Sequence, residues 1–233
     1  MTENIIIIGC LIWFVSCWLG YVTFAKRQAK KTRCIASVMH RHRIAWMERL
    51  LFREHLIADT ALLASLERQV TFFASTTILI LAALLTLLST SERLFHVLAA
   101  IPGTYPTSMF DIQIRLTLMI SIFIFAFFTF TWSMRQYGFC SVLMGAVPRA
   151  NLGDEITDEQ QKYVINLAKI IDHAGHSYNY GLRSYYFAMS TLAWFIHPLA
   201  FIVASAMVVL VLYQREFHSN TLKVMDGIDK NFK

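Results

Sequence analysis

Five basic residues stand where long apolar runs begin or end: Lys26, Arg27, Arg68, Arg135 and Arg183. Aromatic residues flank three of them, in RQVTFF, FTWSMRQYGF and GLRSYYF. A guanidinium presents its N–H donors in a planar fork that suits phosphate or carboxylate oxygens. The chemistry open to these residues is therefore anion recognition. The anion would be a lipid headgroup phosphate, or a permeating ion if several copies surround an axis. Trp132, Tyr137, Tyr185 and Tyr186 would sit with them as interfacial aromatics. The plainer alternative is the ordinary basic and aromatic belt of membrane spans, which recognises nothing. A third outcome is neutralisation within the protein by Glu48, Glu54, Asp59 and Glu67.

An aromatic residue lies four positions after each of Arg68, Arg135 and Arg183: Phe72, Phe139 and Phe187. Phe72 and Phe187 would point into the membrane and Phe139 away from it, with Trp132 taking the membrane-side place in that run.

Other chemistries have weaker signals. HRH at 40–42, His55 and DHAGH at 172–176 could collect a metal, and Asp172, His173 and His176 have helical-face spacings. No ExxH pattern accompanies them, so no metal is expected. His197 is the one histidine inside an apolar run, which excludes a haem held between two intramembrane histidines. It is expected to bond a backbone group near Pro198. The four cysteines, Cys10, Cys17, Cys34 and Cys140, form no CxxC and read as packed thiols. No Walker, GxSxG, HExxH or GxGxxG motif occurs. The expectation is no enzyme, no catalytic residue and no cofactor. The net charge of +6 is accounted for by the basic collar and calls for no nucleic-acid partner.

The elements that must position these residues follow from composition. The chain has 233 residues, 56% hydrophobic and 15% charged, against about 25% charged in soluble domains. Residues 4–25, 69–91, 116–134 and 184–214 carry no Asp, Glu, Lys or Arg. About 20 helical residues cross a hydrocarbon core, and in lipid the backbone must bond to itself. The reading is an all-α membrane protein, one domain over 1–233, with four transmembrane helices near 5–25, 70–90, 116–135 and 186–212. Long cytoplasmic helical extensions occupy about 36–69 and 136–183. The start has no basic n-region and reads as a retained first span.

Ten Lys or Arg fall in 26–68 and five in 135–183, against two in 92–115. The positive-inside rule then puts the N-terminus outside. The last run is the exception to a simple reading. It is too long for one straight span, and His197-Pro198 lies near its middle. One kinked helix is the expectation. A hairpin turning at Pro198 is the alternative, and it would bring the tail back inside.

Arg135 fixes the depth of the third run. Nineteen residues before it give about 29 Å, a bilayer's thickness. The apolar YGFCSVLMGAV would then project beyond the lipid and need a protein cover. The helix leading into span two, expected to start near Ile44 and run unbroken, would supply part of it. A second helix over 158–174 would supply the rest, with Thr157 and Gln160 as a capping box and Gly175 as its stop.

WMERLLFREHLIAD, FFASTTILIL, FAFFTFTWSMRQYGFC, GLRSYYFAMSTLAWF and VLYQREFHS together resemble an uncharacterised membrane family, domain of unknown function number 599. The resemblance covers roughly 40–220. It implies a multi-span helical protein of the bacterial inner (cytoplasmic) membrane and no activity. The expected role is a non-enzymatic accessory or scaffold subunit of a membrane complex. The alternative is a homo-oligomeric anion channel. Expected partners are membrane lipids and other membrane subunits or further copies of the chain.

Overall fold

The computed structural model describes residues 2–29, 32–102, 104–105, 108–151, 153 and 155–231. These form eight α-helices and no strand: α1 (Thr2–Ala29), α2 (Ile35–Leu50), α3 (Ile57–Ser89), α4 (Ser91–Ala99), α5 (Met109–Gly145), α6 (Asp158–Leu192), α7 (Pro198–Phe217) and α8 (Asn220–Asn231). Among the described residues, α1, α3, α5 and a segment beginning at α7 are long and apolar enough to cross a membrane.

α5 is the spine. Its 37 residues extend about 55 Å. Ser108 and Asp111 close a capping box at its start, which satisfies two N-terminal donors. α6 lies antiparallel along it. Arg115 of α5 faces Trp194 beyond the end of α6, Phe123 meets Tyr185, Ser133 Oγ donates to the Ala174 carbonyl at 2.7 Å, and Tyr163 Oη donates to the Leu143 carbonyl at 2.7 Å. α6 begins with the expected Thr157–Gln160 capping box.

The helix does not stop at Gly175. It runs on to Leu192 because its glycines face neighbours that need the room. A Cβ on Gly175 would lie 3.0 Å from Arg43 Nη2. A glycine costs a helix interior about 1 kcal/mol, which the packing along α5 outweighs.

The helix expected to run unbroken from Ile44 into the second span is two helices. α2 ends at Leu50, the chain turns through 51–56, and α3 starts at Ile57. No proline or glycine makes this break. Tertiary contacts do. Arg53 from the turn and Trp46 Nε1 from α2 both donate to Asp59 in the first turn of α3, the tryptophan at 2.6 Å. The Leu51 carbonyl also accepts the Ala150 N–H at 3.0 Å, joining this turn to the loop after α5.

The 186–212 run is likewise not one kinked helix. α6 ends, a 3-10 turn covers Ala193–Phe195, and α7 begins at Pro198. Pro198 lacks an N–H and suits the first helical position, and it drives His197 to an extended conformation. His197 Nδ1 accepts the Leu199 N–H at 3.1 Å and so caps α7. Trp194 stacks on Phe201 at 4.7 Å across the turn. Ser190 and Ser205 meet at 3.4 Å, and Arg215 donates to Tyr186 Oη at 2.8 Å. α6 and α7 are therefore an antiparallel hairpin, and the tail lies at the end of the bundle that also holds Ala29 and α2. The turn lies at the opposite end, where the Tyr105 N–H donates to the Ile196 carbonyl at 3.0 Å.

Two apolar clusters stack along this frame. One joins α1, the later half of α3, the first half of α5, the end of α6, and α7 around Phe14, Phe187, Trp194 and Phe201. The other joins α2, early α3, late α5 and early α6 around Met47, Leu50, Leu63, Phe130, Cys140, Met144 and Leu167. Tyr137, Cys140 and Met144 are buried in it, so one face of the apolar stretch after Arg135 is covered by the same chain.

Candidate functional site

Among the described side chains, the basic residues singled out from sequence do not converge on one point. Arg27, Arg68 and Arg135 are exposed on three different helices. The Lys26 side chain lies outside the described residues. Arg135 rests on Phe139, 5.8 Å from its ring centre. Arg68 lines a shallow depression with Phe72, Phe73 and Tyr178. Of the aromatics, Trp132 is exposed, Tyr137 is buried, and Tyr186 receives Arg215. Tyr185 lies between α3, α5 and α6, sharing a 2.8 Å hydrogen bond with Thr77 and contacting the rings of Phe73, Phe123 and Phe130. This is interhelical packing with one polar tie.

Arg183 differs from Arg27, Arg68 and Arg135. Antiparallel pairing sets it beside Phe125, not Arg135, because both line one groove with Trp18, Leu19, Val22 and Tyr180. Ten residues of α5 separate Phe125 from Arg135, about 15 Å of helix. Its guanidinium lies 5.3 Å from the Tyr21 ring centre and 5.7 Å from that of Tyr180. Nη2 stands 3.7 Å from Glu216 Oε2. Tyr21 Oη nearby is buried without a hydrogen-bond partner.

Three groupings were not anticipated. Asp172 is buried on α6 and accepts from both Arg43 and His40 of α2. This ion cluster fastens α2 to α6. Among the described residues no set of three His, Cys, Asp or Glu side chains has the geometry of a metal site. Asp59, buried at the start of α3, gathers Arg53 and Trp46, and not one of the five boundary residues it was expected to neutralise.

The third grouping centres on Arg115. It is 2% exposed, and its Nε and Nη1 have no hydrogen-bond partner. Its guanidinium lies 5.4 Å from the Trp194 ring centre and 5.8 Å from that of Phe195. A cation–π contact recovers part of the hydration that is lost, and buried Asp111 lies one turn away on the same helix. The readable signal was an acid and a base four apart at the mouth of an apolar run.

The model of one protein family, proteins of unknown function termed DUF599, matches residues 10–221. The chain belongs to the DUF599 family. The match takes in the α2–α6 ion cluster, Arg115 and the α6–α7 hairpin of this DUF599 protein, and it leaves out only the first residues and most of α8. No curated protein and no solved structure matches it.

Proposed function

We propose that this DUF599 protein is a non-enzymatic accessory or scaffold subunit of a membrane complex, held against a partner's helices by one face of α5. Phe128, Trp132, Arg135, Phe139 and Val142 recur at helical spacing and form that face. The observation that carries the reading is its continuation past Arg135. Phe139 is 43% and Val142 72% exposed, whereas Tyr137, Cys140 and Met144 on the other side of the same turns are buried. α5 is about 25 Å longer than a hydrocarbon core. With the headgroups at the level of Arg183 and Phe125, Val142 stands about 25 Å farther along α5; lipid does not reach it, and its apolar surface calls for protein.

We place the protein in the bacterial inner membrane, with the N-terminus outside and the end bearing α2 in the cytoplasm. The ten Lys and Arg of residues 26–68 support that orientation.

The test is site-directed crosslinking in native membranes from Phe139→Cys and Val142→Cys, followed by native mass spectrometry of the extracted protein. One heteromeric adduct of fixed mass at both positions supports the scaffold reading. Absence of any adduct there sinks it. A ladder of multiples of the chain mass supports the second reading, a homo-oligomeric anion channel. One observation favours that reading: Arg135 lies exposed in the middle of this face, so copies meeting on it would ring an axis with guanidinium groups. Arg135→Ala would then reduce anion flux in liposomes.

A further inference from the structure

α1 touches the bundle chiefly through α7. Between α1 and the α5–α6 pair a groove of about 380 Å³ remains. Its walls are Trp18, Leu19 and Val22 from α1 and Phe125 from α5, and its polar contributors are Tyr180 and Arg183 of α6. Leu19 and Phe125 are exposed. The groove is thus open along the side of the bundle, the side that a membrane-spanning α1 would turn to acyl chains.

Arg183 gives one end of this apolar groove a charge. Its side chain is 16% exposed, and it makes no hydrogen bond among the described residues. Its ion contact with Glu216 is long at 3.7 Å, and Glu216 Oε1 also accepts the Ala36 N–H at 3.4 Å. Its remaining contacts are the faces of two tyrosine rings. A guanidinium with this many unused donors in a low-dielectric setting is matched by an anionic, multi-oxygen acceptor. Arg27 and Arg215 near the same end add positive charge.

We propose that this groove is a binding site for an anionic phospholipid, with an acyl chain lying along Trp18, Leu19 and Phe125 and the headgroup phosphate on Arg183. Apolar walls alone would accept any lipid, and the cation supplies the preference. Tyr180 and Tyr21 hold the guanidinium flat between α1 and α6, so the charge is positioned before the lipid arrives.

The test uses nanodiscs of phosphatidylcholine and phosphatidylglycerol at four to one, mild extraction, and native mass spectrometry of lipid retained on the full chain. Wild type should retain phosphatidylglycerol over phosphatidylcholine by about tenfold relative to supply, the scale of one charge-assisted contact. Arg183→Gln should abolish that preference, and Arg183→Lys should keep part of it. Leu19→Trp leaves the charge in place and fills the groove at an exposed position, so it should reduce retention of both lipids. This second variant keeps the proposal testable if Arg183→Gln fails to fold. Excess inorganic phosphate should not displace the lipid. Displacement by phosphate would assign the site to a free anion and overturn the lipid reading. Unchanged enrichment in Arg183→Gln or unchanged retention in Leu19→Trp would overturn it too.

Discussion

The ring of Phe130 on α5 occupies the space a side chain would need at Gly181 on α6. A Cβ built there would lie 2.4 Å from Phe130 Cε1. The ring cannot swing clear, because Phe73 stacks on it at 5.6 Å and the rings of Tyr178 and Tyr185 flank it. This contact lets the backbones of α5 and α6 approach in the middle of the bundle, the usual task of small residues between membrane helices. Gly181→Ala should therefore destabilise the protein by about 1–3 kcal/mol through overpacking. Gly138→Ala is the contrast. Nothing lies within 4 Å of a Cβ there, so the better helix former should add up to about 1 kcal/mol. Thermal unfolding in detergent compares the two, and equal effects would refute the packing argument.

Asp172 holds two partners on α2, and removing the acid leaves both without their acceptor. Asp172→Asn should cost about 2 kcal/mol, discounted from a fully buried pair because His40 is 43% exposed. Arg43→Ala should cost a similar amount, and the double variant clearly less than the two together. Additive losses in chemical denaturation would show that the contacts act independently.

Arg115 invites the opposite expectation. A buried guanidinium with unpartnered nitrogens lowers stability relative to an apolar residue of similar length. Arg115→Met should raise the unfolding free energy by about 1 kcal/mol. Loss of stability in that variant would mean that the contacts with Trp194 and Phe195 outweigh the desolvation.

Tyr163 ties early α6 to late α5 by one hydrogen bond. Burial pushes its phenol above the usual tyrosine range, so it stays a neutral donor at any ordinary pH. Tyr163→Phe should cost about 1 kcal/mol and leave the fold intact. Hydrogen exchange should show the loss locally, in 158–167 and 140–147, and a uniform change would argue against a local tether.

The α6–α7 hairpin makes a topological prediction. Single cysteines at Ile5 and Ser219, in a background without the native four, should react with an impermeant maleimide from opposite faces of the membrane. Thr104 should report the same face as Ile5. Labelling of Ile5 and Ser219 from one face would restore the kinked single span.

Helix positions and types were legible because charge-free runs of span length leave few other folds. The cover over Cys140 and Met144 was legible for the same reason, as apolar residues beyond Arg135 demand neighbours. The break at 51–56 was not, because it is fixed by Asp59 meeting Arg53 and Trp46 and by Leu51 meeting Ala150, contacts without a local signature. Gly175 misled because a glycine that ends a helix and one that admits a neighbour look alike in sequence. The pairing of Arg183 with Phe125 was not legible either. The partner helix α5, which sets its height, cannot be read from spacing within α6.

α6 carries a consequence for how the protein is made. It runs beside α5 for most of its length, yet it is not among the helices apolar enough to enter a bilayer alone. A bilayer would then take in α6 only with α5 in place to receive Gly181 and α7 following to bring Glu216. The fold thereby predicts an ordered biogenesis: the last two segments should go in as a pair, and a chain truncated within α7 should leave α6 stranded at the surface for quality control to remove.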